Sequence, residues 1–229
     1  MVYITGDIHG SADPIYNLFM RFHPTSEDII ILLGDVGLNY TGQMRDLMLK
    51  QTFRDMKSTF FCIHGNHENR PQNICSYQEK TWHDGRVLFE EDFPNILFPV
   101  DGDIFDIEGK PCIVIGGAYS VDKFYRLSHG YKWWPDEQPT STIKEYVEQQ
   151  VRANPIDIVL SHTCPYKYIP TECFLPGIDQ STVDNSTEHW FDTIEEMIDY
   201  KAWYCGHWHI NKRIDRMHFL MHDVEMLVD

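Results

Sequence analysis

Hydrophobic positions in this chain fall into short runs separated by polar segments in which apolar residues recur at helical spacing. Val2 to Thr5, Ile29 to Leu33 and Thr59 to Ile63 are β-type runs, while Pro14 to Phe22 and Met44 to Met56 place apolar residues three and four apart. The first half therefore predicts strand-helix-strand units. Each run enters a turn that carries an acid, an amide or a histidine: Gly6-Asp7-Ile8-His9-Gly10, then Gly34-Asp35, then His64-Gly65-Asn66-His67-Glu68. Polar residues at the carboxyl ends of strands are where α/β sheets build sites.

The rhythm then changes. Asn95 to Val100, Asp103 to Ile107 and Pro111 to Gly116 are short runs separated by Asp-Gly and Glu-Gly-Lys-Pro turns, which predicts an antiparallel meander. Thr142-Ile143-Lys144-Glu145 has the form of a capping box, and Ile143, Tyr146, Val147 and Val151 share one helical face. Ile156 to Leu160 predicts a strand ending at Ser161-His162. A second helix from about Thr187 to Asp199 puts Trp190, Phe191, Ile194, Met197 and Ile198 on one side. It leads into a strand, Ala202 to Cys205, that ends at Gly206-His207-Trp208-His209, and Arg213 to Val228 has the alternation of a closing hairpin.

Composition narrows the class. With 42% hydrophobic and 14% aromatic residues over 229 positions, the chain can fill a sizeable core, and no Gly/Ser or Pro-rich tract divides it. A single domain over 1–229 is expected, with an insertion at about 117–141 as a substrate lid. The net charge of −16 opposes attraction to phosphate backbones. No extended nucleic-acid surface is expected, whereas a phosphorylated small molecule or nucleotide suits a locally positive metal pocket. Six cysteines, at 62, 75, 112, 164, 173 and 205, include no CxxC pair, and most lie in apolar stretches. Reduced thiols in a cytoplasmic protein are expected. No signal-like leader and no apolar stretch near 18 residues appear, so no membrane association is expected.

The chemistry concentrates at five predicted strand ends. Asp7 and His9 follow the first, Asp35 the second, Asn66 the third, His162 the fourth, and His207 with His209 the fifth. Any one such turn is commonly only a turn. Together they supply carboxylate, amide and imidazole donors, a set that suits divalent Mn²⁺, Fe²⁺, Mg²⁺ or Zn²⁺ and includes no thiolate.

This ordered set, from Gly6-Asp7-Ile8-His9-Gly10 to Gly206-His207-Trp208-His209, resembles the calcineurin-like metallophosphoesterase superfamily, and the motifs span residues 6 to 209. The resemblance implies an α/β fold of four layers, α/β/β/α, with two packed mixed sheets and helices outside. It implies two divalent cations, Mn²⁺ foremost, with Fe²⁺, Zn²⁺, Ni²⁺ or Mg²⁺ also suited. One would be held by Asp7, His9, Asp35 and His209, the other by Asp35, Asn66, His162 and His207. A metal-bridging hydroxide would attack phosphorus in line, and His67 would protonate the leaving oxygen or stabilise the transition state.

Departures shape the substrate expectation. The family's protein phosphatases and diadenosine tetraphosphatases carry an arginine after the second motif and another before the third. Here those places read Val36-Gly37-Leu38-Asn39-Tyr40 and Ile63-His64-Gly65. A phosphomonoesterase other than a protein phosphatase is expected, with a nuclease or cyclic-nucleotide phosphodiesterase as the alternative, and a non-catalytic metal-binding module as the rival of another class. For substrate contacts, Lys123 and Arg126 are suited to hold a phosphate or to pair with Asp122. Trp133 and Trp134 suit either a stacking wall or a loop anchor, and Arg70 is a further phosphate contact to test.

Overall fold

The computed structural model describes residues 1–174 and 176–227. Its first part follows the predicted grammar: β1 (Val2–Thr5), α1 (Asp13–Phe22), β2 (Ile29–Leu32), α2 (Met44–Met56) and β3 (Thr59–Cys62). The three strands run parallel, with Ile4 beside Ile31 and Ile31 beside Phe61. Alternation along each strand sends Ile4, Ile31 and Phe61 to one face and Tyr3, Ile30 and Phe60 to the other. Both faces are apolar, which is why these runs read as continuous rather than alternating.

The middle departs from the expected meander. A hairpin of β4 (Gln78–Trp82) and β5 (Gly85–Glu90) comes first, followed by β6 (Phe93–Pro99), which lies antiparallel to β5 and parallel to β3 in the first sheet. Only β7 (Ile104–Ile107) and β8 (Lys110–Ile115) form the expected antiparallel pair, and they belong to the second sheet. Between the sheets the chain turns on two anchored carboxylates. Asp101 accepts from Gly116 N at 2.7 Å and from Arg70 Nη1 at 2.5 Å, and Asp103 is gripped by Arg86 at 2.9 and 2.8 Å. Those partners lie elsewhere in the chain, so the segment looks locally like an ordinary solvated turn.

Beyond α3 (Lys123–His129) come α4 (Ser141–Ala153), β9 (Ile158–Ser161), α5 (Ser186–Met197), β10 (Ala202–Cys205), β11 (Lys212–Ile214), β12 (Met217–Phe219) and β13 (Glu225–Met226). The cap of α4 is Thr140, whose side chain accepts from Ile143 N at 3.3 Å. It lies two residues before the expected box. The tail is also redistributed: β11 and β12 form a hairpin on the second sheet, while β13 returns to pair with β1.

Among the described residues the first sheet is ordered β13-β1-β2-β3-β6-β5-β4 and the second β11-β12-β10-β9-β8-β7. Ile4, Ile31, Phe61, Val114, Leu160 and Tyr204 share the core between them. Outside the first sheet, Ile15 and Leu18 of α1 and Leu49 and Phe53 of α2 cover Tyr3, Ile30 and Phe60. Outside the second, Val147 of α4 and Phe191 and Ile194 of α5 cover Ile113, Val159 and Trp203. Four layers result, as expected. Met197, assigned to the inner face of α5, is 39% exposed at the helix end. Cys62, Cys112, Cys164 and Cys205 are buried, Cys173 is half-buried and Cys75 is exposed, all as free thiols. No described helix is long and apolar enough to cross a membrane.

Candidate active site

Strands β1, β2 and β3 are parallel neighbours, as are β9 and β10, so within each sheet their carboxyl ends lie along one edge. There the turns bring Asp7, His9, Asp35, Asn66, His162, His207 and His209 together. His9, Asp35, His207 and His209 adopt φ values of 46°, 47°, 66° and 52°. Left-handed backbone costs a non-glycine residue on the order of 1–3 kcal/mol, and it persists where surrounding contacts over-determine it. Such contacts are present: Asp35 Oδ1 accepts from His67 N at 2.8 Å, and both Asp7 oxygens accept from His207 N at 3.1 Å. The flanking glycines allow the close approach. A Cβ on Gly34, at φ 103°, would strike the His162 ring, and one on Gly65 would strike the Asp35 carboxylate and backbone.

The donor atoms converge in a way that protein alone does not satisfy. His162 Nδ1 donates to Leu33 O at 2.7 Å, which turns the Nε2 lone pair toward Asn66 Oδ1, 2.8 Å away. Asn66 Nδ2 donates to Ser120 Oγ at 2.9 Å, so the Oδ1 facing His162 is an acceptor. His207 Nδ1 approaches the same Oδ1 at 3.1 Å. On the other side His9 Nε2 and His209 Nε2 stand 2.8 Å apart, and His209 Nε2 is 3.3 Å from Asp7 Oδ2. Asp7, His9 and His209 form one cluster with donor atoms within 4.8 Å of one another; Asp7, Asp35 and His162 form a second, and His9, Asp35 and His67 a third.

Electrostatics follow from crowding. Burial raises the Asp35 carboxyl, but the adjacent His162, His67 and His9 outweigh it and hold the group well below the carboxylate range. Burial lowers the His9 and His207 imidazoles, and the hydrogen bond to Asp7 raises that of His209.

His67 is held from the 117–141 segment. Arg126 Nη2 lies 2.5 Å from His67 Nδ1. Because a guanidinium only donates, Nδ1 accepts and the ring proton sits on Nε2. Arg126 is fixed in turn by Asp122 Oδ2 at 2.7 Å and the Tyr40 hydroxyl at 3.2 Å. Asp122 Oδ1 faces His67 Nε2 at 3.6 Å, too long for a hydrogen bond. Burial raises the Asp122 carboxyl, yet His67 and Arg126 outweigh it and bring it down to about 2. Of the two roles open to Arg126, the geometry has the Asp122 pair, with the guanidinium behind His67.

The remaining expected contacts lie away from the metal-facing cavity. Lys123 sits over the Trp133 ring at 4.1 Å. Trp133 Nε1 donates to Glu137 Oε2 at 2.8 Å, and Trp134 packs edge-on against Tyr40. Both contacts are those of a loop anchor, and neither ring is among the residues lining that cavity. Arg70, 6% exposed, donates to Asp136 O at 2.8 Å and to Asp101. It ties the base of the same segment to the inter-sheet turn and does not line the cavity.

Several contributors have no signature outside the motifs. Glu68, fully buried, accepts from Gly65 N at 3.1 Å and Gly37 N at 3.2 Å, locking the second motif to the third. Burial and the nearby Asp35 push its carboxyl up to about 8. Ser120 donates to Glu137 Oε2 at 2.5 Å and so passes the hold on Asn66 to the insertion. Glu68 closes the third motif, whereas Ser120 and Glu137 lie outside every motif.

A cavity of about 500 Å³ opens over His9, Asp35, Asn66, His67, His207 and His209. Its lining also includes Val121, Phe174, Ile178, Val183 and Trp208, together with Asp122, Cys173, Gln180 and Asn185.

The sequence pattern of the calcineurin-like phosphoesterases matches residues 1–211. The chain belongs to that family. A calcineurin-like phosphoesterase is in general a metal-dependent hydrolase of phosphate esters, and the family generally uses a binuclear metal centre, for which these Asp and His clusters are candidates. No curated protein matches the chain. One solved structure, at 14% identity, superposes with a TM-score of 0.51 over 96% of this chain and 88% of its own. Another, the protein of unknown function AQ665 from Aquifex aeolicus, is 13% identical, with a TM-score of 0.37 over 74% of this chain and 81% of its own.

Proposed function

We propose that this chain hydrolyses phosphate monoesters. One divalent cation would be held by Asp7, His9, Asp35 and His209, and a second by Asp35, Asn66, His162 and His207. The observation that carries the reading is the approach of His162 Nε2 and Asn66 Oδ1 to 2.8 Å, two acceptor atoms aimed at each other. Each is fixed in that role by a hydrogen bond on its far side. Two lone pairs so placed repel unless a cation or proton lies with them, and the oxygen and nitrogen donors suit Mn²⁺ among other divalent ions. When bound, such cations supply an activated water and neutralise charge on the phosphoryl oxygens.

The chain's own groups do the rest. His67 carries its proton on Nε2 and lines the cavity, where it donates to the leaving oxygen or to the charge that grows there. Arg126 holds that ring and is itself held by Asp122, so the segment at 117–141 positions the acid. Glu68 keeps the Asp35 and Asn66 turns in register.

The test is chelation, dialysis and reconstitution with Mn²⁺, followed by turnover of p-nitrophenyl phosphate and bis(p-nitrophenyl) phosphate. Metal-stimulated hydrolysis is expected, faster on the monoester. Asp35→Asn should lose metal and activity. His67→Ala should keep metal while turnover of ethyl phosphate, whose leaving alkoxide needs a proton, falls by about 10²-fold or more. No turnover of either ester, with Asp35→Asn binding Mn²⁺ like the natural chain, would refute the reading. Faster turnover of the diester would reverse the preference.

A further inference from the structure

Beside the proposed metal donors, the cavity lining presents the apolar Val121, Phe174, Ile178, Val183 and Trp208, with Asp122, Cys173, Gln180 and Asn185 among them. Val121 is 38% and Phe174 37% exposed, so apolar surface stands open to solvent directly beside a polar centre. The Phe174 and Trp208 rings lie 6.5 Å apart and 30° from parallel, giving that lining two aromatic surfaces at a slight angle. Apolar walls with a few convergent polar groups are the form of a small-molecule site, and 500 Å³ lies within the range such sites occupy.

Charge limits what else the ligand carries. None of the described residues lining the cavity is Lys or Arg. The nearest cations of the covering segment are engaged, Arg126 by Asp122 and His67 and Lys123 by the Trp133 face. With two divalent cations held by Asp7 and Asp35, the site carries at most two surplus positive charges, and fewer once the activated water has lost its proton, which suits one phosphoryl group rather than several. A second phosphate would meet no cationic side chain of the lining, only apolar residues, the neutral Gln180 and Asn185 or the anionic Asp122, in a chain whose net charge is −16.

Building on the two-metal reading above, we infer that the substrate is a phosphate ester with a single phosphoryl group and an uncharged, ring-bearing organic part, which packs on the wall made by Phe174, Val183 and Trp208. Polyphosphates and phosphorylated polyanions are disfavoured by the same wall.

The test compares two alkyl esters with similar alkoxide leaving groups, and pyrophosphate as a second-phosphate probe. In the Mn²⁺-loaded full chain, kcat/KM is measured for 2-naphthylmethyl phosphate, ethyl phosphate and pyrophosphate. Calorimetry measures binding of the non-hydrolysable 2-naphthylmethylphosphonate and ethylphosphonate. Both the rate and the binding comparison are expected to favour the ring by tenfold or more, with pyrophosphate a poor substrate. Phe174→Ala and Val183→Gln, both at partly exposed positions that leave the core intact, should each lower the ring-to-ethyl ratio, by about tenfold for Phe174→Ala. Equal handling of the ring and ethyl ligands, efficient pyrophosphate hydrolysis, or variants that leave the ratio unmoved would overturn the inference while leaving the hydrolase reading intact. Absence of metal-stimulated turnover on every ester, with the phosphonate preference retained, would sink the hydrolase reading and keep the ring-binding wall.

Discussion

The contact between Arg126 and His67 makes a sharp claim about roles, because it assigns this guanidinium to the imidazole and Asp122 rather than to a substrate phosphate. Its Nη2 is 2.5 Å from Nδ1 of His67, and its Nε is 2.7 Å from Asp122. Arg126→Ala removes the donor that keeps the proton on Nε2, and it leaves Asp122 without its cation. A hydrogen bond that involves a charged group contributes roughly 1.5–3 kcal/mol. If that energy is fully used to keep His67 competent, the rate falls by about 10- to 150-fold. The loss should appear in kcat and depend on the leaving group. It should be large for ethyl phosphate, whose alkoxide needs a proton, and small for p-nitrophenyl phosphate, whose phenolate does not. The decisive assay is a double-mutant cycle on ethyl phosphate with metal content checked by elemental analysis. Once His67 is gone, Arg126 has nothing to orient, so the double variant should be no slower than His67→Ala alone. Additive losses, or a rise in KM that ignores the leaving group, would refute the positioning role and return Arg126 to the substrate.

Other outcomes follow from buried charge and exposure. Glu188 is 2% exposed, and burial raises its carboxyl to about 7 despite the hydrogen bond from Thr163. A carboxyl raised in the fold keeps its proton there, so its stabilising effect is full below about pH 4.5 and is lost as pH rises toward 7, by up to about 3 kcal/mol. Glu188→Gln should therefore gain stability relative to the natural chain between pH 5 and 8 in urea melts, and parallel pH profiles would contradict the assignment. Arg70→Leu strands the buried Asp101 and should cost about 3–5 kcal/mol in the same melts, whereas a loss under 1 kcal/mol would mean the pair is not closed in solution. Native protein should offer Cys75 to a thiol reagent first and Cys173 more slowly, with all six cysteines reacting only in denaturant. Fewer than six after denaturation without reductant would reveal a disulfide.

Much of the first half was legible because its information is local. A continuous apolar run ending in Gly-Asp or Gly-Asn-His-Glu carries both its strand and its turn within about ten residues, and β1, β2, β3 and β10 came out near the expected bounds. Where partners are distant the reading failed. The polar strand Gln78–Trp82 gave no alternation to follow, since it sits at a sheet edge with little burial. The switch between sheets at Asp101 and Asp103 depends on Arg70 and Arg86. The left-handed backbone at His9, Asp35, His207 and His209 left no trace in residue type, because glycine is the usual marker of such positions and these are functional side chains.

Sequence by itself pointed to the candidate donor set, the strand ends that bear it and the family, because ordered spacing and donor chemistry need no knowledge of what lies across the fold. Only the tertiary structure decided what surrounds those donors. It brought the two strand groups together, placed Arg126 against His67, set Trp133 on Glu137 and Trp134 on Tyr40, and gathered the apolar Val121, Phe174, Val183 and Trp208 into the lining of one cavity. Contacts of this kind join residues up to 200 positions apart. Their energies depend on distance in space, which one-dimensional spacing does not encode.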